Sequence, residues 1–465
     1  MADSVGPMKT IRALAGELEV GTVRARDLIE EALARIADPV GEGSRAFLSV
    51  DVEGSRAVAD RLDEARRAGR PVPPLAGIPA AIKDLADVEG QVTAAGSLIL
   101  ADRPAAERDA PVVERLRRAG FVLIGRTNMT EFAYSGLGLN AHHDTPRSPW
   151  DRATGHIPGG SSSGTAVAVA DGMAAVGLGT DTGGSCRIPA AFCGIVGYKP
   201  TAARVPLEGI VPLAPSLDCV GPLGRSVDCC AIVDAIFAGA DASTGLGDEP
   251  PAEPAAGVRL AALSDLVLDD LHPTVAELYE RALRRLAAAG VTVSDVPFPE
   301  LNELPRINAK GGLATAEAYH WHRDLLAEHG DRYDQRVRVR IEPGRNQTAA
   351  DYLDVVHARR RLQARAAERL AGHDAFVLPT VAVIPPTIAS FDSGDAEYYG
   401  RTNLLCLRNT SVGNILDACA ISIPISEPGE APVGLMLMAG PGADHQLFSL
   451  ARTVESLLVP ADRPR

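Results

Sequence analysis

The sequence predicts an α/β fold built on one large mixed, mostly parallel β-sheet with helices covering both faces. Segments with helical periodicity alternate with short apolar segments along nearly all of the 465 residues, which is typical of this fold class. Hydrophobic residues make up 46% of the chain, which is enough for a large buried core. No apolar run reaches the roughly 20 residues that a membrane helix needs.

The N-terminal segment, about 8–70, is predicted to be mostly helical. Apolar residues recur at three- and four-residue spacing over two helices within 8–38, and Thr22 suits the N-cap of the second one. A short strand at 46–50 and a helix at about 54–68 follow.

The middle part, about 75–230, contains the most unusual sequence. A buried strand is predicted over 77–84, and a helix over 109–120 leads into a strand over 121–125. From there to about residue 200, Gly, Ser, Thr and Ala dominate, and tight loops around short elements replace regular amphipathic patterns.

The C-terminal part, about 257–460, returns to alternating strands and helices. Predicted strands cover 258–263, 291–296, 375–381, 420–425 and 433–439, and predicted helical regions cover 272–289, 310–372, 402–416 and 444–457. The Gly- and Pro-rich stretch 240–256 is interpreted as a surface excursion rather than a linker. We therefore expect residues 1–465 to form a single domain without internal repeats.

The charge and the cysteines exclude several classes of protein. A net charge of −14 at pH 7 argues against a general nucleic-acid binder, because phosphate neutralisation needs clustered Lys and Arg. The seven cysteines include no CxxC pair, and the N-terminus lacks a basic-then-apolar signal segment. We expect reduced, mostly buried thiols in a cytoplasmic protein.

The stretch 159–201 carries the chemistry. It reads as a Gly-Ser loop, a helix of small residues, a short strand, a second Gly-Ser loop and a helix start. Two such loops can bring the hydroxyls of Ser161 and Ser185 together, because glycines allow close backbone approach. Pro189 suits a first helical turn, so nearby loop amides could face outward and stabilise an oxyanion.

Four motifs in the same order and spacing resemble the amidase signature family. They are GIPAAIKD with Lys83, GRTNMTEF (125–132), GGSSSG with Ser161, and GTDTGGSCR with Ser185, 24 residues after Ser161. The terminal ISIPI and PVGLMLMAG segments are similar to the closing strands of the family. Alone, the serine run would indicate a linker, Lys83 a surface lysine and Ser185 a helix cap. Together the motifs favour catalysis.

The resemblance implies a Ser–Ser–Lys catalytic set. Ser185 is then the nucleophile, Ser161 on a cis peptide bond relays the proton, and Lys83 is the neutral base. The physics agrees, since a serine hydroxyl needs an adjacent base and a lysine is a base only if burial lowers its pKa. The amides implied for the oxyanion hole are those of Thr182, Gly183, Gly184 and Ser185, and the residues implied to brace the site are Asn128, Ser162, Asp181 and Arg187.

Competing motifs are weaker. GSSSG (160–164) fits a hydrolase nucleophile elbow centred on Ser162, but no strand precedes it. The histidines at 142–143 and at 320 and 322 lack metal-ligand spacing and are interpreted as surface or loop residues. We therefore expect no metal and no cofactor.

The expected reaction is hydrolysis of a small linear carboxamide to a carboxylate and ammonia or an amine. The stretch 408–424 somewhat resembles the matching segment of carboxybiuret and allophanate hydrolases, which suggests a urea-derived substrate. The residues expected to line the substrate pocket are Met129, Tyr134, Tyr319, Arg340 and Arg408. We expect a small-molecule amide as the partner, neither nucleic acid nor membrane, and a homodimer as the assembly.

Two alternatives stay open. One is the A subunit of a tRNA-dependent amidotransferase, which releases ammonia from glutamine, although we find no Tyr- and Gly-rich segment typical of such proteins in 300–360. The other is a catalytically inactive binding protein on the same fold, which the intact catalytic positions disfavour.

Overall fold

One sheet of eleven strands organises the molecule. The computed structural model describes residues 8–241 and 254–459. The strand order is β1-β3-β2-β4-β6-β5-β10-β11-β9-β7-β8. The strands are β1 (Phe47–Val50), β2 (Pro79–Lys83), β3 (Val122–Thr127), β4 (Val176–Thr180), β5 (Val196–Lys199), β6 (Val220–Gly224), β7 (Arg259–Leu263), β8 (Thr292–Val296), β9 (Ala375–Pro379), β10 (Cys419–Pro424) and β11 (Gly434–Ala439).

Helices separate most of the strands along the chain. They are α1 (Ile11–Glu19), α2 (Ala25–Ala37), α3 (Gly43–Ala46), α4 (Val52–Arg67), α5 (Pro111–Ala119), α6 (Ser163–Ala170), α7 (Arg187–Cys193), α8 (Val227–Phe237), α9 (Pro273–Ala288), α10 (Leu304–Ile307), α11 (Gly312–His329), α12 (Gln335–Ile341), α13 (Ala349–Leu370), α14 (Ala396–Ile415) and α15 (Asp444–Leu458). Short 3₁₀ turns lie between several of them.

The sheet is mixed, as predicted, but it is not mostly parallel. Among the described strands, β3-β2-β4 and β9-β7-β8 pair in parallel, whereas the six other pairings are antiparallel. The alternation of strands and helices suggested crossovers throughout. However, a short loop joins β10 directly to β11, and two strands joined in this way must run antiparallel.

Helices cover both faces, as the fold class predicts. On β10, Ile421 belongs to a core with residues of α9 and α15, whereas its neighbour Ala420 belongs to a core with residues of α13 and α14. Strand β11 alternates in the same way between Leu437 and Met438. Because successive side chains of a strand point to opposite faces, these two cores lie on opposite sides of the sheet.

Three local predictions need correction. Helix α2 is capped at Arg24 rather than at Thr22, whose hydroxyl instead donates to the Glu17 carbonyl. The helical region predicted over 310–372 consists of α11, α12 and α13, interrupted at Gly330 and at Pro343. Both residues disfavour helix interiors, so the breaks have a local cause. Helix α14 begins at Ala396, six residues earlier than predicted.

The predicted surface excursion 240–256 falls mostly outside the described residues, so its conformation and the single-domain division stay predictions. All seven cysteines are buried and none forms a disulfide. Within the described ranges, no helix has the length and apolar character required to cross a membrane.

Candidate active site

The site forms at the edge of the sheet where two parallel strands end. Strands β2 and β4 are neighbours, with Ile82 opposite Leu178, so Lys83 and Thr180 come to the same edge. The carboxyl ends of parallel strands meet in this way, and the loops that follow them are free to carry functional groups. The motif with Lys83 and the motif with Ser185 are therefore joined by strand pairing.

Lys83 is completely buried. Its Nζ lies 2.8 Å from Ser161 Oγ and 2.7 Å from Thr180 Oγ1. Burial, which deprives the ammonium group of water, lowers the pKa of Lys83 to about 8, although the nearby Cys186, Asp181 and Asp218 act in the opposite direction. A lysine in this environment can exchange a proton near neutral pH.

Ser161 is held by the loop that leads into α6. The Gly160–Ser161 peptide bond is cis, as the resemblance implies. Helix α6 consists of small residues and contacts β2, β3 and β4. Large side chains on this helix would keep it away from the sheet. At Gly164, an added Cβ would lie 2.2 Å from the Ala46 carbonyl oxygen. The small residues of the motif therefore allow the segment that carries Ser161 to pack closely against its neighbours.

Ser185 lies just before α7 and lines a cavity of about 780 Å³. Among the described residues, no hydrogen bond joins its hydroxyl to Ser161, whereas the resemblance implies a continuous relay from Ser185 through Ser161 to Lys83. The structure therefore contains the Ser161–Lys83 half of that relay and lacks the other half. Catalytic hydrogen bonds are often long before substrate binds.

The amides expected to form an oxyanion hole are not all available. The Gly184 amide donates to Asp181 Oδ1 at 2.9 Å, so we remove Gly184 from the expected donors. Glycine is needed at this position for two reasons. Its φ is +135°, and an added Cβ would lie 2.1 Å from Thr410 Oγ1. Thr182, Gly183 and Ser185 line the cavity, and their amides remain candidates.

Asp181 and Arg187, on either side of Ser185 in the chain, form a fully buried ion pair. Arg187 donates to both carboxylate oxygens of Asp181, at 2.8 and 3.0 Å, and also to Asn414 Oδ1 at 2.7 Å. Burial alone would raise the pKa of Asp181, but the charge and hydrogen bonds of Arg187 lower it to about 2. The pair connects the loop to α14, which matches the bracing role expected for both residues.

The side chains of Asn128 and Ser162 contact backbone carbonyl groups and do not line the cavity. Asn128 Nδ2 donates to the carbonyls of Arg45 and Asp144, at 2.9 and 2.7 Å. The Ser162 hydroxyl donates to the Thr180 carbonyl at 3.4 Å. Both contacts fit bracing residues.

Two residues at the site were missed by the sequence analysis. Thr180 belongs to the motif around Ser185, yet it contacts Lys83. Asp218 accepts a hydrogen bond from the Thr182 hydroxyl and others from the amides of Leu213 and Ala214. A lone aspartate before a strand carries no recognisable pattern, so its position could be known only from the fold.

The cavity wall contains two of the five predicted pocket residues, Tyr134 and Arg340. Met129 is instead completely buried in an apolar cluster behind the wall. Tyr319 contacts Arg345, and Arg408 donates to the Val267 carbonyl at 3.0 Å. These three predictions are wrong, because the folding of the helices from 304 to 348 and of α14 decides which side chains reach the cavity. Wall residues that the sequence analysis missed include Asn308, Lys310, Gln347, Leu404, Leu407 and Ser411.

The histidines are not all at the surface. His142 Nε2 lies 2.8 Å from Glu131 Oε1. His322 is completely buried against Phe132 and Tyr333, and burial lowers its pKa to about 3, so its interpretation as a surface or loop residue is wrong. Within residues 8–241 and 254–459, no three His, Cys, Asp or Glu side chains form a group that could hold a metal ion.

Comparison with known proteins identifies several full-length relatives. The 2-amino-5-chloromuconic acid deaminase of Comamonas testosteroni is 37% identical over 415 residues, covering 89% of this chain and 88% of the relative. The A subunit of the glutamyl-tRNA(Gln) amidotransferase of Symbiobacterium thermophilum is 36% identical, covering 94% and 93%. The AtzE subunit of the 1-carboxybiuret hydrolase of Pseudomonas sp. (strain ADP) is 34% identical, covering 93% and 95%.

Solved structures agree with these relatives. The crystal structure of an amidase superimposes with a TM-score of 0.86 at 32% identity, covering 97% of this chain and 100% of that one. The family model named Amidase matches residues 27–448. The chain therefore belongs to the amidase signature family and is a hydrolase of carbon–nitrogen bonds.

Proposed function

We propose that the protein hydrolyses a small linear carboxamide to a carboxylate and ammonia or an amine, through an acyl-enzyme on Ser185. The observation that carries the proposal is the buried Lys83 Nζ, 2.8 Å from Ser161 Oγ, together with a cavity that Ser185 lines. A lysine with a pKa of about 8 is neutral in about one molecule in ten at pH 7. This fraction can accept a proton.

In the proposed mechanism, Ser185 Oγ attacks the amide carbon while its proton passes through the Ser161 hydroxyl to Lys83. The amides of Thr182, Gly183 and Ser185 face the developing oxyanion. When the tetrahedral intermediate collapses, the carbon–nitrogen bond breaks and Lys83 returns the proton to the leaving nitrogen. Water then attacks the acyl-enzyme by the same proton route and releases the carboxylate. The missing Ser161–Ser185 contact must form when substrate occupies the cavity.

A second candidate is the A subunit of a tRNA-dependent amidotransferase. The 36% identical relative of that name supports it. It differs from the first in requiring a partner, so isolation of the tagged chain from its host with a stable tRNA-binding partner would favour it. Activity on simple amides by the purified chain alone would favour the first.

The urea-derived substrate and the homodimer stay predictions. The carboxybiuret hydrolase relative supports a urea-derived substrate, because its similarity covers nearly the whole chain and not only the stretch 408–424. Ammonia release from a panel that includes short linear amides and biuret-type compounds would test it. Light scattering of the purified chain would test the homodimer.

Covalent labelling tests the nucleophile. A fluorophosphonate probe should label Ser185, identified by mass spectrometry of the tryptic peptide. Ser185→Ala should abolish labelling and lower the rate of ammonia release by several orders of magnitude. Ser456→Ala, an exposed serine of α15, is the matched control and should keep both. If a folded Ser185→Ala variant retained more than about a tenth of the rate, the assignment would be wrong.

A further inference from the structure

One buried carboxylate joins two separate segments next to the nucleophile. The Thr182 hydroxyl donates to Asp218 Oδ1 at 2.5 Å, and both side chains are buried. The same carboxylate accepts hydrogen bonds from the Leu213 amide at 3.0 Å and from the Ala214 amide at 3.1 Å. A backbone amide can only donate, so Asp218 is the acceptor in both of these bonds. Asp218 therefore connects the loop before Ser185 to the turn that precedes Asp218 itself.

Asp218 differs from Asp181 in what holds it. Asp181 has the guanidinium of Arg187 as its partner, whereas among the described residues no cation forms an ion pair with Asp218. Burial raises the pKa of Asp218, and the hydrogen bonds from the Thr182 hydroxyl and the two amides act against this shift. A buried polar group is costly when its hydrogen bonds are lost. The position of this carboxylate therefore depends on those hydrogen bonds.

Both ends of this connection lie at the cavity. At one end, Thr182, Gly183 and Ser185 line the cavity, and their amides are the candidate donors to the oxyanion. At the other end, Leu213 and Leu217 line it. Amide donors stabilise an oxyanion only when they are aimed at the place where its charge develops. A displacement of about 1 Å at such a site can cost about 100-fold in rate.

We propose that Asp218 is a positioning residue of the reaction: through the Thr182 hydroxyl it aims the amides before Ser185, and through the amides of 213–214 it fixes the cavity wall relative to them. The inference rests on the proposed function, because it assumes that the amide is cleaved at Ser185. Asp218 does not itself line the cavity, so it acts through these partners and not on the substrate. The bond to Thr182 should govern kcat, since an oxyanion exists only after attack, and the bonds to the wall should govern KM.

Two substitutions of Thr182 test the hydroxyl. Thr182→Val removes it with little change of side-chain volume and keeps the backbone amide. It should lower kcat for ammonia release from the fastest short linear amide of the panel by about 10- to 100-fold and leave KM within about threefold. Thr182→Ser retains a hydroxyl and should recover most of that loss. Thr201→Val is the matched control, because it removes a hydroxyl that donates to Asp444 at 2.7 Å outside the described cavity wall, and it should keep kcat.

Asp218→Asn tests the carboxylate. It replaces one acceptor oxygen by an amino group that faces the same donors, so it should lower kcat by about tenfold or more and also raise KM by about threefold or more. Combined with Thr182→Val, it should lower kcat little further than the worse single variant, because both changes break one bond. Circular dichroism and urea unfolding check that each variant is folded. If Asp218→Asn does not fold, the Thr182 variants decide alone.

The outcomes separate this inference from the proposed reaction. An unchanged kcat in folded Thr182→Val, or equal losses in Thr182→Val and Thr182→Ser, would overturn the positioning role while the reaction at Ser185 stands. A loss of the same size in Thr201→Val would also overturn it, because any buried hydroxyl would then matter as much. Failure of the fluorophosphonate probe to label Ser185 in the unmodified enzyme would instead refute the reaction, and the positioning role with it.

Discussion

Two regions of the molecule form the candidate site, and they differ in burial and in charge pairing. The catalytic loops, which we define as 79–84, 159–165 and 180–187, are almost completely buried, and Asp181 and Arg187 neutralise each other there. The part of the cavity wall that residues 304–348 and 404–415 supply is partly exposed: Leu404 is 65% exposed, and Arg340 lacks an acidic partner among the described residues.

If the proposed function holds, this difference divides the physical constraints between the reaction and the recognition of substrate. Close packing and paired charges in the catalytic loops leave little freedom for substitution, because each group contacts several others. The cavity wall has open volume and an uncompensated charge among its described residues, so its substitutions should change which amide binds more than whether an amide is cleaved. The following changes test this comparison.

Lys83→Ala should have the largest effect, lowering kcat by about 10⁴-fold or more, because a base and its nucleophile act as a unit. Lys83→Arg should fail as well, since a guanidinium stays protonated. In the unmodified enzyme, the rate should rise as pH increases through about 8, because burial lowers the Lys83 pKa to that value and the neutral form is the base. Rate measurements from pH 6 to 10 check this. An active Arg variant, or a rate independent of pH, would exclude Lys83 as the base.

Ser161→Ala should lower kcat by about 10²–10⁴-fold, the usual contribution of general acid–base catalysis. Ser163→Ala is a matched control in the same serine run, because the Ser163 hydroxyl is buried without a hydrogen-bond partner among the described residues. We expect it to keep nearly full activity. Equal effects of both substitutions on ammonia release would show that Ser161 does no more than shape the loop.

Asp181→Asn should lower the free energy of unfolding by about 3–5 kcal/mol, because it leaves Arg187 charged and buried without its partner. Asp60→Asn, which breaks an exposed pair with Arg26, should cost less than about 1 kcal/mol. Since the folded-state pKa of Asp181 is lowered to about 2, its stabilising contribution is present above about pH 4 and is lost as pH falls towards 2. Urea unfolding checks both variants. Equal losses would contradict the view that the buried ion pair of the catalytic loops constrains the fold more than an exposed pair does.

Leu404→Ala should have the smallest effect, less than about threefold in kcat/KM for a short amide and within about 0.5 kcal/mol in unfolding free energy. The side chain is mostly exposed at the cavity wall, so its removal leaves no void. A loss of tenfold or more would mean that the wall is as constrained as the catalytic loops.

Sequence reasoning succeeded for features that a short local motif carries. The resemblance of the GIPAAIKD and GGSSSG motifs to those of the family implied that Lys83 and Ser161 act together, and the structure holds the two side chains within hydrogen-bond distance. Reasoning failed for Met129 and Arg408, which do not reach the cavity, and for the Gly184 amide, which Asp181 engages. Those outcomes depend on contacts between distant segments, and no local pattern reports them.

The sequence by itself determined the α/β class and the order of most strands and helices, since periodicity is a local property. The residues of the proposed Ser–Ser–Lys set came from the resemblance of four motifs to those of a known family. Only the tertiary structure decided that most of the described strand pairings are antiparallel, that no hydrogen bond joins Ser185 to Ser161, and that Arg340 lines the cavity without a described acidic partner. The physical reason is that strand order, cavity shape and charge pairing arise from residues far apart in the chain. Their relative positions follow from packing, which a linear pattern does not encode.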